Sequence, residues 1–211
     1  MSDSQSSSDF YLTIREPASA SLKDTGSRFL GLLYPVSADA EATRLLNECR
    51  KKYYDATHHC YAWRIRNEQT GNIIERTSDD GEPSGTAGKP ILTVLHHAGL
   101  ENILCIVVRW FGGTKLGTGG LVRAYSDTAK GAVGNAVILR QYTYVTGIIT
   151  ADFSQEADLI RIFSQNQVRI QSTDYTDQIT MSIGILPSKL ALVQRLIKDH
   201  FRNQLELVLP E

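Results

Sequence analysis

The chain has 211 residues, 42% of them hydrophobic and 21% charged, with a formal net charge of −1. That length allows one large domain or two small ones, and the composition is ordinary for a folded, water-soluble protein. Up to residue 137 there are 15 basic and 15 acidic side chains, and after it 7 and 8. Neither half is therefore a nucleic-acid domain by bulk charge, and such a role must rest on a local patch.

Residues 1–9 are polar and serine-rich and are expected to be disordered. With a weakly alternating first strand over 10–15, they make 1–19 a tail and first strand. Residues 27–34 read as a stronger strand, ended by Pro35. Ser37 is a candidate cap for a helix with Ala42, Leu45, Leu46 and Cys49 at helical spacing. A strand follows over 59–65, with Tyr61, Trp63 and Ile65 on one face, and then a polar turn over 67–72. Residues 85–99 read as a helix with Ile91, Leu92, Val94 and Leu95 on its apolar side and Gly99 as its stop. The uninterrupted apolar run 103–108 reads as a buried strand. A last helix, from Gly120 to about residue 136, carries Leu121, Val122, Tyr125, Ala129 and Val133. The order β-β-α-β-α-β-α predicts helices packed on one sheet.

A second unit is expected over 142–211. Its pattern is a strand over 145–153, a helix from Ser154, a strand from Val168, a strand over 176–185, a helix opened by Pro187 and a closing strand over 204–209. This β-α-β-β-α-β order is that of the ferredoxin-like split unit.

Nine of the sixteen glycines fall within residues 79–127, so the backbone there must turn sharply or approach something closely. One glycine loop runs 112–120 and opens the last helix. Free N–H groups at such a helix start favour an anion. Arg109, Lys115, Arg123 and Lys130 lie nearby with one acid, Asp127, among them. With Gly117, Gly119 and Gly120 they form a candidate anion or nucleic-acid surface, against the alternative of glycine-driven packing and solvated basic chains. The glycines of this turn are expected to hold positive φ or to pack against the acidic loop. Trp110 and Phe111 point to opposite sides of the strand end, so at most one is open to stack on a base.

The acidic loop DDGEPSG offers Asp79, Asp80 and Glu82 for metal binding or acid–base work. The spacing matches no known motif, and capping of the next helix is the preferred reading, with Ser84 or Glu82 in place for it. Of the neighbouring His58 and His59, one is expected near this loop and one in a structural role. His96 and His97 are set about 100° apart on a helix, poor geometry for a chelate. No metal and no cofactor is expected. A GxSxG elbow and a Walker loop are both absent. Cys49, Cys60 and Cys105, odd in number and without a CxxC pair, read as reduced core thiols. The start lacks the pattern of a signal peptide, and no run approaches the roughly 18 apolar residues of a membrane span. The expected compartment is the cytoplasm.

The segment DDGEPSGTAGKP, followed by VVRWFGGTKLGTGGLVRAYSD and preceded by ATHHCYAWR, resembles the signature of the YigZ/IMPACT family. The resemblance is strong over residues 20 to 136. It implies an α+β chain of two domains. The first, over 20–137, would be similar to domain two of ribosomal protein S-five and domain four of elongation factor G. The second, over 142–211, would be ferredoxin-like and similar to domain five of that factor. It further implies a non-enzymatic part in translation or its regulation, through RNA, the ribosome or a translation-related protein, with no membrane and no DNA sequence readout. Better characterised eukaryotic members carry an extra N-terminal domain that binds a partner of the amino-acid-starvation kinase. This chain has only a serine-rich tail there, so that interaction is not carried over. The alternative function is an enzyme acting on a phosphorylated small ligand at the loops 79–82 and 112–120.

Overall fold

The computed structural model describes residues 9–67 and 70–209. The serine-rich residues 1–8 and two residues of the polar turn, 68 and 69, lie outside that description. The chain is mixed α+β and divides into two units. One is Tyr11–Gln141; the other comprises the residues from Tyr142 onward with the few described residues before Tyr11.

The first unit holds β1 (Phe10–Ile14), β2 (Ala18–Asp24), β3 (Ser27–Pro35), α1 (Asp39–Lys52), β4 (His58–Arg66), β5 (Ile73–Ser78), α2 (Gly88–His97), β6 (Ile103–Trp110), α3 (Gly117–Gly134) and β7 (Ile138–Tyr142). Five of these strands form an antiparallel sheet in the order β2-β3-β6-β4-β5, while β1 and β7 pair by themselves. β6 sits at the centre because its run of apolar residues can be buried on both faces. Ile103, Cys105 and Val107 pack with Ile91 and Leu95 of α2 and Leu121 and Tyr125 of α3. Leu104, Ile106 and Val108 point the other way, against Ala42, Leu46 and Cys49 of α1. Helices thus cover both faces. Each fully buried aliphatic side chain contributes about 2 kcal/mol of transfer free energy.

Three strands, β2, β5 and β7, form where the sequence pattern predicts none. β2 reads ASASLKD and β5 reads IIERTS, and both lie at the edges of the five-stranded sheet. An edge strand is specified by pairing with its neighbour, so it needs little apolar signal of its own. Thr25 and Gly26, both at positive φ, make the two-residue turn that folds β2 onto β3, the arrangement hairpins favour.

The second unit runs β8 (Val145–Ala151), α4 (Glu156–Gln165), β9 (Arg169–Tyr175), β10 (Ile179–Ile185), α5 (Leu190–His200) and β11 (Leu207–Val208). A short 3-10 turn precedes each helix. The sheet is antiparallel in the order β11-β8-β10-β9. Alternate residues Ile149, Ala151, Met181 and Ile183 face Leu159 and Phe163 of α4 and Val193 and Ile197 of α5. Among the described residues no helix is long and apolar enough to cross a membrane.

Candidate functional site

The acidic loop joins β5 to α2, and its carboxylates are largely taken up by the fold. Asp79 accepts backbone N–H bonds from Gly85 (2.8 Å), Ala87 (2.9 Å) and Gly88 (2.8 Å). It therefore satisfies the start of α2, where no residue at the cap position does so itself. The cap of α2 is thus Asp79 rather than Ser84 or Glu82, because the loop doubles back and carries the earlier carboxylate over the helix end. Ser84 is left exposed. Burial acts to raise the Asp79 pKa, but the three N–H bonds and nearby Lys89 outweigh it and hold the group below its usual 3.8.

Asp80, at φ 46°, pairs with Arg50 at 2.8 Å and accepts the backbone N–H of His59 at 2.7 Å. His59 lies buried, with Nε2 at 3.1 Å from the Tyr53 carbonyl. Burial lowers its pKa despite the Asp80 charge. His58 faces the opposite side of β4. Its Nδ1 lies 2.8 Å from the Asp80 carbonyl, and its Nε2 lies 3.8 Å from Glu82 Oε1. Both histidines therefore touch the acidic loop, one by its ring and one by its backbone.

Glu82 is buried at 9% exposure, and its Oε1 accepts from Arg109 Nη1 and, at 2.8 Å, from the Tyr125 hydroxyl. Arg109 is 4% exposed, and its Nη2 donates to Ser27 Oγ at 3.2 Å. The sequence reading put Arg109 in an open basic patch. Instead it lies beneath the surface, because a buried guanidinium needs the carboxylate that Glu82 provides 27 residues earlier. Burial, first of all, pushes the hydroxyl of Tyr125 and the thiol of Cys60 strongly upward, so both stay protonated. Cys60 Sγ sits 3.3 Å from the Tyr125 oxygen. Cys49 and Cys105 are buried as well, their thiols pushed up by burial to about 11 and about 12.

The residues of this network missing from the sequence reading are Ser27 and Tyr125. Its spacing with Leu121 and Ala129 places Tyr125 on the apolar face of the last helix. A buried tyrosine among small and aliphatic neighbours must find a partner for its hydroxyl, which was the available signal.

The glycine loop between β6 and α3 is built differently. Gly112 packs so closely on the β2–β3 turn that a Cβ there would lie 1.9 Å from the Gly26 carbonyl carbon. Gly117 holds φ +71° and starts α3. Gly119 contradicts the expectation of positive φ or tight packing: it is helical, and a Cβ on it would meet nothing within 4 Å. Gly120 only touches the side chain of Leu116. No side chain caps α3. The N–H groups of Gly117, Thr118 and Gly119, which have no partner inside a helix, receive none from the other described residues. Lys115 and Arg123 are exposed and without ion pairs among the described residues, whereas Lys130 pairs with Asp127 at 3.1 Å.

The two loops meet at a half-open cavity of about 440 Å³. His58, Glu82 and Arg109 line one part of it, and Lys115, Gly117 and Thr118 another, with Phe111, Leu116 and Leu121 as apolar wall. Phe111 is 46% exposed, while Trp110 is half-buried under Arg28, whose guanidinium lies 4.0 Å from the ring centre. Among the described residues no three His, Cys, Asp or Glu side chains are grouped to hold a metal ion.

Comparison with known proteins places these loops in a family. Residues 25–133 match the model of the Impact N-terminal domain, and residues 149–204 match a domain of unknown function, DUF1949. The chain belongs to the IMPACT family. It is 31% identical to the IMPACT family member YvyE of Bacillus subtilis, over 80% of this chain and 76% of that one. It is also 31% identical to the IMPACT family member YigZ of Escherichia coli, over 86% and 89%. A solved structure titled "Crystal structure of an hypothetical protein" has 29% identity and a TM-score of 0.66, covering 96% of this chain and 98% of that chain. Both candidate loops fall inside the Impact N-terminal match.

Proposed function

We propose that this IMPACT-family chain works without catalysis, as a cytoplasmic, translation-associated protein that binds RNA or the ribosome through the glycine loop. The translation context follows the family resemblance. With it go the likeness of the first unit to domain four of elongation factor G and of the second, ferredoxin-like in its sheet order, to domain five.

The observation that carries the binding reading is the uncapped start of α3, open to solvent beside the unpaired Lys115 and Arg123. Free helix N–H groups with flanking cations suit a phosphate. Two carboxylates of the acidic loop are taken up by the fold and so are withdrawn from acid–base work, Asp79 by α2 and Asp80 by Arg50 and His59.

One observation favours the rival enzyme acting on a phosphorylated ligand: His58 turns Nε2 toward the cavity and Glu82. Filter binding of structured RNA across a salt series, beside co-sedimentation with ribosomal subunits, tests the reading. Log affinity should fall against log salt with a slope of roughly −0.7 to −0.9 per neutralised phosphate. Absent or salt-independent binding would overturn it, and turnover of a phosphorylated substrate that His58→Ala abolishes would put the enzyme in its place.

A further inference from the structure

The cavity presents two chemically different ends. At one end lie the free N–H groups of α3 and Lys115. At the other, Glu82 and His58 lie beside the buried Arg109 guanidinium. The Asp80 carbonyl can only accept, so His58 Nδ1 carries the proton in that 2.8 Å contact, and Nε2 is left on the side of Glu82, 3.8 Å from its Oε1. Glu82 spends Oε1 on Arg109 and Tyr125 and has no partner at Oε2. The buried side-chain atoms lacking partners among the described residues are Arg109 Nε and Trp110 Nε1. Glu82 Oε2, partnerless as well, thus keeps its contact with the open volume of the cavity that Glu82 lines.

A carboxylate oxygen without a partner calls for a donor. The cavity therefore fits a ligand with an anion at one end and a hydroxyl at the other.

We propose that this cavity takes the ribose phosphate of one RNA nucleotide, with the phosphate on the start of α3 and the ribose 2′-hydroxyl donating to Glu82 Oε2, so that the chain distinguishes RNA from DNA. The exposed ring of Phe111 on the same wall offers the base a stacking face. The 2′-hydroxyl is the group by which a protein makes that distinction. The inference rests on the RNA reading above and goes beyond it in naming what is recognised.

The test uses the intact chain in a fluorescence-anisotropy competition, so that the ligand is altered rather than the fold. The competitors are an unstructured RNA, the DNA of the same sequence, the same RNA with 2′-O-methyl riboses, and adenosine 5′-monophosphate. RNA should outcompete both DNA and the methylated RNA by roughly tenfold, the discrimination given by one hydrogen bond to a charged acceptor. Lys115→Glu should weaken RNA binding with no loss of thermal stability. Equal, salt-dependent binding of RNA and DNA would overturn this inference while leaving the phosphate-binding loop standing. No binding of either polymer would sink both. Competition by the mononucleotide at the strength of the RNA would overturn the polymer as the source.

Discussion

The acidic loop and the glycine loop lie side by side, each leads into a helix, and they solve the same problem in opposite ways. Before α2, Asp79 takes three backbone N–H groups, so that the helix start is finished from within the chain. Before α3 no side chain does so, and Gly117 and Thr118 at its start line the cavity. Both helices need a negative end-group. Where the chain supplies it, the loop is structural; where it does not, the vacancy is filled by water or by a ligand. The many charges of the acidic loop are thus the weaker functional signal, and the nearly featureless glycine loop the stronger.

Substitutions sharpen this contrast, beginning with the largest expected effect. Glu82→Ala leaves Arg109 buried with no carboxylate, and breaking a buried ion pair from one side costs about 3–5 kcal/mol. Denaturant unfolding should show that loss, and a variant as stable as the parent would mean that the pair does not anchor the site.

Asp79→Asn comes next, at about 1–2 kcal/mol, the scale of a lost helix cap. It also carries a pH signature. Because the folded-state pKa is depressed, the Asp79 contribution is fully present above the unfolded value near 3.8 and disappears as pH falls through the lower folded value. Unfolding curves on either side of pH 3.8 should converge for parent and Asp79→Asn at the acid end. A constant gap between them would contradict the capping role.

Gly119→Ala reverses the sign. Its Cβ enters open space and its helix propensity improves, so stability should hold or rise by up to about 1 kcal/mol. A measurable destabilisation would show that the loop is as structural as its acidic neighbour. The smallest effect on stability belongs to Lys115→Glu with Arg123→Glu. Exposed charges without partners contribute within about 0.5 kcal/mol, and a clear drop in melting temperature would place them in the fold.

What the sequence discloses follows from how far each signal reaches along the chain. The run 103–108 is legible as the buried centre because its neighbours in sequence are all apolar. The second unit is legible because α4 and α5 carry apolar residues at helical spacing and β10 alternates. β2 and β5 were hidden, since an edge strand's hydrogen bonds come from a partner distant in sequence. Of the candidate site, the glycine turn and Lys115 are legible as one place because they are neighbours in sequence. Arg109 was misplaced because its burial depends on Glu82 and Tyr125, which come from other elements. Asp79 was not singled out as the cap because it lies nine residues before Gly88 and reaches it only through the fold of the loop.

The central claim, that the glycine loop faces a phosphate, is tested most directly by a salt titration of RNA binding with the parent and the Lys115→Glu, Arg123→Glu variant side by side. The parent should lose affinity steeply with salt. The variant should bind more weakly with a flatter slope, by roughly 0.7 to 0.9 for each phosphate contact removed, at an unchanged melting temperature. Parent and variant titrating with the same affinity and slope would contradict the account.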